Sequence, residues 1–334
     1  MARVPDVKTP AFAADQAATR IRIFGGVLET DRPLPGLPVV PMMDDGQSPL
    51  WALTTSDRDG APVHSEGVAV TGRIVYSSGP AVSLADRGDA PEVVISDTGR
   101  FTMQTATRSI QHIAPPGVDR AAVALDLIGV VLPYALHRDG AWCLHASAVQ
   151  VPAGVIAFIA PRGVGKSTLA AACAQAGCAL VADDVVVMRA APGGRLSVTP
   201  SGVPLRLREH TARAVGIAAD DADGWGKVRV PGAFATQALP LAAVYVLSPA
   251  PADATCARVE RSRRAAALAL LTNGKITELL GGHAAGDALE RCVVLAAMTH
   301  MYDLAVPRDL SRLPSVVQTL LAWHDAPSPA SNSA

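Results

Sequence analysis

Over the first third of the chain, apolar and polar positions alternate in short runs. IRIFGGVLET (21–30) alternates like a strand, and PLWALTT (49–55), GVAVTGRIVYSS (67–78), EVVISD (92–97), FTMQTAT (101–107) and SIQHIAP (109–115) are further short strand-like pieces. Turn signals separate them at Asp57-Arg58-Asp59-Gly60, Ser78-Gly79-Pro80 and Thr98-Gly99. The pattern predicts a β-rich N-terminal module over 1–117, with residues 1–18 as a frayed lead-in.

From Asp119 the spacing becomes helical, with Val123, Leu127, Val130 and Val131 on one face, and Pro133 is expected to kink or end that helix. AWCLHASAVQV (141–151) and Val155–Ile159 read as strands, Ser167–Gln175 as a helix and Ala179–Met188 as a strand. Beyond them come a strand-turn-strand (195–208), a helix (209–217) and a polar, mobile loop (218–233) rich in Asp and Gly. A buried strand (238–249), an alternating piece (255–262), helices at 263–271 and 287–300, a strand (301–309) and a closing helix (311–324) complete a domain over 118–324. The tail 325–334 reads as disordered, and there are no internal repeats.

Composition narrows this picture. The 334 residues are 49% hydrophobic and 4% aromatic, so Ala, Val and Leu must fill the core. A net charge of -1 gives no global drive toward nucleic acid or an anionic membrane. The five cysteines are scattered without a CxxC, as expected of free thiols in a reducing compartment. No signal peptide and no apolar run of ~18 residues is read, so a cytoplasmic location is expected.

The chemistry concentrates between Gly154 and Arg189. Ala160-Pro161-Arg162-Gly163-Val164-Gly165-Lys166-Ser167-Thr168 lies between a strand and a helix, where a phosphate-binding loop must lie. Backbone N–H groups there cradle an anion, the Lys reaches terminal phosphates and the next hydroxyl ligates Mg²⁺. Ala160 stands where the usual GxxxxGK[ST] pattern has its first Gly, and Ala tolerates positive φ poorly. Asp183 and Asp184 interrupt an apolar strand, where two carboxylates are costly unless they meet a metal or hydrogen-bond donors. Neighbouring strand residues face opposite ways, so the two have different tasks or sit at a bulge.

LHASAV (144–149), GVGKS (163–167) and LVADDVV (180–186) resemble the catalytic domain of HPr kinase/phosphorylase, the bacterial P-loop enzyme that phosphorylates a serine on the carrier protein HPr. The close resemblance covers Trp142 to Arg189. It implies an α/β fold: a P-loop kinase core of the HPr kinase C-terminal type, a mixed sheet with helices, beside the smaller β-rich N-terminal module. It implies ATP and Mg²⁺. Lys166 then holds the phosphates and Ser167 ligates Mg²⁺. Asp184 is the base toward the acceptor serine, His145 orients or polarises the acidic pair, and Asp183 supports the metal side. Glu209 corresponds by spacing to a second metal-side carboxylate. Taken whole, the chain resembles HPr-kinase-related proteins of lasso-peptide and related peptide-biosynthesis clusters, through Phe24–Pro38, SGVPLRLR (201–208) and YDLAVPRDLSRLP (302–314). That implies a peptide or protein acceptor bearing a serine, and a homo-oligomer is possible since HPr kinases form rings. No HPr-docking signature is read, which points away from HPr itself. Lys227, Arg229, Arg261 and Arg264 are candidate contacts to phosphate or peptide. A nucleotide-binding regulator or scaffold without transfer, and a small-molecule kinase, are the alternatives.

Overall fold

The computed structural model describes residues 18–40, 51–75, 81–218 and 226–325. Most of the expected lead-in, the Ser78-Gly79-Pro80 turn, residues 219–225 of the expected loop (Asp220, Asp221, Asp223 and Gly224 among them) and the tail from 326 lie outside these residues. The chain is mixed α/β and divides into two compact units. One comprises Met1–Asp139 with Ile276–Gly286, the other Gly140–Lys275 with Asp287–Ala334.

The first unit holds a nine-stranded sheet among the described residues. Its strands are β1 (Thr19–Ile23), β2 (Gly26–Thr30), β3 (Val39–Val40), β4 (Trp51–Asp57), β5 (Gly72–Val75), β6 (Ala81–Ala85), β7 (Glu92–Ile95), β8 (Gly99–Gln104) and β9 (Ser109–Ala114). They lie in the order β3-β1-β2-β4-β9-β8-β7-β6-β5. The single strand expected over 21–30 is instead a hairpin, β1 against β2. Phe24 (φ 48°) and Gly25 (φ 74°) both sit at positive φ, the geometry of a two-residue turn whose twist matches its strands. Of the run 67–78, only Gly72–Val75 forms a strand among the described residues.

Helix α1 (Arg120–Asp126) passes through a π turn (Leu127–Val131) into α2 (Leu132–Arg138). Pro133 therefore does not end the helix. It occupies the first turn of α2, where its missing N–H costs little, and the π turn before it absorbs the register change. By length and composition alone Arg120–Arg138 could cross a membrane, but 56% of that window is buried within the protein, as in a core helix. Asp126 in it accepts the Thr98 hydroxyl at 2.7 Å.

The second unit carries a mixed sheet built on β10 (Trp142–Leu144), β11 (Ala146–Val151), β12 (Gly154–Ile159), β13 (Leu180–Ala182), β14 (Val186–Ala191) and β15 (Arg195–Thr199). A two-stranded ribbon, β16 (Arg206–Arg208) with β17 (Lys227–Arg229), stands apart from it. The long strand β18 (Leu239–Ala250) joins the sheet's two halves, pairing β15 at its start and β12 and β20 (Met301–Pro307) further on, while β19 (Arg258–Glu260) pairs β20. The helices are α3 (Lys166–Gln175), α4 (Glu209–Ala214), α5 (Arg263–Thr272), α6 (Gly282–Ala297), which begins in the first unit, and α7 (Leu313–Ala322).

Three expected elements change here. The strand expected over 141–151 breaks at His145 because β10 pairs β14 whereas β11 pairs β12 and β13. The strand 179–188 breaks at Asp183-Asp184 for the matching reason on the other side. Part of the expected loop 218–233 is the ordered strand β17, held by burial of Val228 and Val230.

Beside α7, the buried His324 shares a 2.7 Å hydrogen bond with the Tyr245 hydroxyl, and Arg258 lies over the Tyr302 and Trp323 rings. Burial, helped by Arg258, pushes the His324 pKa down to about 4. The unfolded chain binds this proton near the ordinary value of about 6.5, so stability is lost as pH falls from about 6.5 toward 4, by about 3 kcal/mol from this group. Thermal melts of wild type at pH 7 and pH 4.5 are expected to differ by more than those of His324→Gln. Equal differences would remove His324 from the account.

Candidate active site

The topology places the chemistry at one edge of the sheet. β12 and β13 run the same way, with the antiparallel β11 between them. The loop after β12 and the acidic pair after β13 thus leave the sheet at their carboxyl ends, where open α/β sheets bind ligands. β11 begins at that edge, so Ser147 and the preceding His145 arrive there too.

In the loop, Gly163 (φ 86°) and Gly165 (φ 114°) adopt left-handed backbone that favours glycine. Ala160 has no positive φ and is buried, so the residue in place of the pattern's first Gly carries no strain. Gly165 caps α3 without a side-chain bond, so the N–H groups of the first turn face the loop as an anion site. Val164 packs on the core, while Pro161 and Arg162 are exposed. Lys166 is buried, and its ammonium donates to the Ala160 carbonyl at 2.8 Å and reaches that of Pro161 at 3.4 Å. Burial lowers the Lys166 pKa, against the pull of Asp184 and Asp183.

Asp183 accepts the Ser167 hydroxyl at 2.8 Å and the Ser147 hydroxyl at 2.6 Å on one oxygen, Oδ1, and the two hydroxyls are 3.4 Å apart. Burial raises its pKa, the two hydroxyls oppose this, and Asp184 adds to it. Thr168 follows Ser167 in the first turn of α3, half-buried.

Asp184 turns the other way. It sits at φ 67°, left-handed backbone that costs a non-glycine residue ~1 kcal/mol and that Asp tolerates better than most. Strain of this kind clusters at functional sites. Its side chain is 54% exposed; Oδ2 accepts Lys275 Nζ at 2.7 Å and Oδ1 is 3.9 Å from His145 Nε2. Desolvation favours its neutral form, but Lys275 foremost, then His145 and Lys227, hold the carboxyl below its ordinary range. Burial, with Lys275, pushes His145 down to about 4 although Asp184 pulls the other way, so its ring is neutral at pH 7.

Two residues of this cluster, Lys275 and Ser147, had no role assigned from sequence. Lys275 is brought in by a turn whose backbone docks along β10. His145 N–H donates to the Asn273 carbonyl and Lys275 N–H to that of Cys143, each at 2.8 Å. Its sequence signal, Asn273-Gly274-Lys275, is a local turn with no mark of its partner 91 positions away. Ser147 lay inside the recognised LHASAV run, on a strand alternating small and apolar residues.

Glu209 does not join the group. It opens α4 and pairs with Arg213 one turn on, and no group of three metal-ligating side chains forms among the described residues. The spacing that suggested it ignores α4, whose first turn commits the carboxylate locally. Arg261 is engaged by Asp303, and Arg264 lies exposed in the first turn of α5. Lys227 is half-buried, with its charge felt at both Asp183 and Asp184, and Arg229 is exposed.

The arrangement can hold a phosphate chain on the loop N–H groups and Lys166, with Asp183 and Ser167 on one flank and Asp184 on the other. No family model and no curated protein matches the sequence. Among solved structures, the HPr(Ser) kinase/phosphatase from Coxiella burnetii aligns with 55% of this chain and 95% of that chain, at 15% identity and a TM-score of 0.32. A likeness that slight carries no argument, and any reading of function rests on the side chains themselves.

Proposed function

We propose that the second unit is a P-loop kinase core that transfers the γ-phosphoryl group of ATP to a serine hydroxyl of a peptide or protein. The observation that carries this is the division of labour across the acidic pair. Asp183 holds the loop hydroxyl of Ser167, and the half-exposed Asp184 lies against Lys275 and His145. A lasso-type precursor peptide is the acceptor we favour, on the sequence resemblance, together with a cytoplasmic location and no nucleic-acid substrate.

The residues fit Mg²⁺. One carboxylate and one hydroxyl oxygen lie 2.8 Å apart, and burial and Asp184 disfavour the Asp183 charge, which a cation would favour. Mg²⁺ needs few protein ligands when phosphate oxygens and waters complete its shell. Ser167 and Asp183 would hold it, and it would supply charge neutralisation at the phosphates. The loop N–H groups and Lys166 bind and orient the phosphate chain. Asp184 takes the proton from the acceptor hydroxyl as the serine oxygen bonds to phosphorus and the bond to the leaving diphosphate breaks. Positioning and electrostatics supply most of the rate.

Lys275 fixes the Asp184 carboxylate and adds positive charge where the transferred group passes. Lys275→Met is expected to lower transfer roughly 10²-fold with ATP affinity retained, and Lys275→Arg to restore part of it. Transfer by Lys275→Met at the wild-type rate would remove the residue from the site.

The second reading is a nucleotide-binding regulator without transfer, favoured by the same Lys275 contact because it occupies one oxygen of the would-be base. The test is labelled ATP with Mg²⁺ and a set of serine-bearing peptides, with lasso-type precursor peptides among them. Label on serine supports the kinase. Nucleotide binding with no label on any Ser or Thr peptide rejects it in favour of the regulator.

A further inference from the structure

Two serine hydroxyls meet Asp183, and only one belongs to the phosphate loop. Ser167 is in the first turn of α3. Ser147 is on β11 and is buried. β11 pairs β13 with Ala148 opposite Ala182, where β13 ends. One step further along each chain are Ser147 and Asp183, so the sheet itself brings the two together. Ser147 donates to Asp183 Oδ1 at 2.6 Å, and Ser167 donates to the same oxygen at 2.8 Å. Asp183 Oδ2 makes no hydrogen bond among the described residues.

Packing does not call for the Ser147 hydroxyl. Alanine there would fill nearly the same space and bring no buried polar group to satisfy. The partner that the hydroxyl has is the carboxylate whose orientation matters to the site. The last torsion of an aspartate side chain has broad wells, so a carboxylate at the end of a strand needs a neighbour to fix it. Ser167 is a poor choice, because under the kinase reading its oxygen is committed to Mg²⁺. Ser147 is on a strand paired on both sides, by β12 and β13, and its hydroxyl is 3.4 Å from that of Ser167. It thus stands beside the proposed metal ligands without belonging to the loop.

We propose that Ser147 is a positioning residue for the metal side of the site. Its hydroxyl pins Oδ1 of Asp183, which restrains the carboxylate and leaves Oδ2 uncommitted for Mg²⁺. The proposal rests on the nucleotide and metal site of the kinase reading. It adds a residue that acts through Asp183 and touches neither nucleotide nor acceptor. Removing a residue that holds a metal ligand in place typically costs roughly 10- to 100-fold in metal affinity or activity.

The test titrates ATP calorimetrically into the full chain, wild type and Ser147→Ala, over a series of Mg²⁺ concentrations that includes none. Transfer to serine-bearing peptides is read on the same preparations. Alanine is the smaller residue on a strand that already has Ala146 and Ala148, so the variant is expected to fold, and its melting curve is checked. Without Mg²⁺, Ser147→Ala is expected to bind ATP as wild type does. At a Mg²⁺ concentration that just saturates wild type, it is expected to bind ATP roughly tenfold more weakly, and roughly tenfold more Mg²⁺ to restore the difference. A variant that keeps the full Mg²⁺ effect overturns the proposal. So does an equal loss of ATP affinity with and without Mg²⁺, which a purely structural role would give. Wild type that binds no ATP, or binds it equally with and without Mg²⁺, rejects the metal site and this proposal with it. A Mg²⁺ effect weakened in Ser147→Ala, with no transfer by wild type to any peptide, rejects the kinase reading and leaves Ser147 in its role at a nucleotide site.

Discussion

Asp184→Asn is expected to reduce phosphoryl transfer roughly 10³-fold while leaving Mg-ATP affinity close to wild type. Asn is nearly isosteric and, like Asp, tolerates left-handed backbone, so the φ of 67° adds no new strain and the change isolates the charge. Asparagine cannot accept the serine proton. It also loosens the 2.7 Å contact with Lys275, leaving that ammonium without its carboxylate. Because the Asp184 oxygens meet Lys275 and lie near His145 and hold no hydroxyl of the loop, ATP binding on the loop is expected to survive the change. Equilibrium ATP titration and initial-rate transfer, measured on one preparation, check both halves. A parallel fall in affinity and rate would mean that Asp184 belongs to the nucleotide site and is not the base.

Lys166→Ala is expected to act earlier, at binding. The ammonium is held at 2.8 Å by the Ala160 carbonyl, at the position from which a P-loop Lys meets terminal phosphates. Burial lowers its pKa against the pull of Asp184 and Asp183, and a bound phosphate would favour its charged form further. Removing it also leaves the loop carbonyls without their donor. ATP affinity and transfer are both expected to fall by roughly 10²-fold or more, and Lys166→Arg to recover little because the guanidinium is larger and planar. Protection of the chain by ATP in thermal melts is the readout. Undiminished ATP protection in Lys166→Ala would contradict a phosphate-binding loop at 160–168.

These two residues were legible in the sequence because their signals are local. Gly163, Gly165 and Lys166 sit between an apolar strand and a helix, and the backbone demand for glycine falls on 163 and 165 alone. That is why Ala160 looked like a defect in the pattern and is not one in the fold. Asp183 and Asp184 stood out as carboxylates in an apolar run. Their facing opposite ways was legible from strand alternation, but the break in the strand was not, because a left-handed residue there depends on β11 and β10 pairing different neighbours on either side of His145. Long-range contacts were invisible for the same reason. Lys275 reaches Asp184 through a turn docked on Cys143 and His145, which no periodicity reports. In the first unit the alternation of 21–30 survived a hairpin, since Phe24 and Gly25 turn the chain without interrupting the apolar pattern.

Phosphoryl transfer at this site would need the metal side of the loop, where Ser167 meets Asp183 at 2.8 Å. Calorimetric titration of ATP into wild type and Asp183→Asn, with and without Mg²⁺, tests it directly. Mg²⁺ is expected to tighten ATP binding by wild type at least tenfold, and to give Asp183→Asn little or none of that gain. If Asp183→Asn keeps the full Mg²⁺-dependent gain, Asp183 is not on the metal side and the division of labour between the two aspartates is wrong.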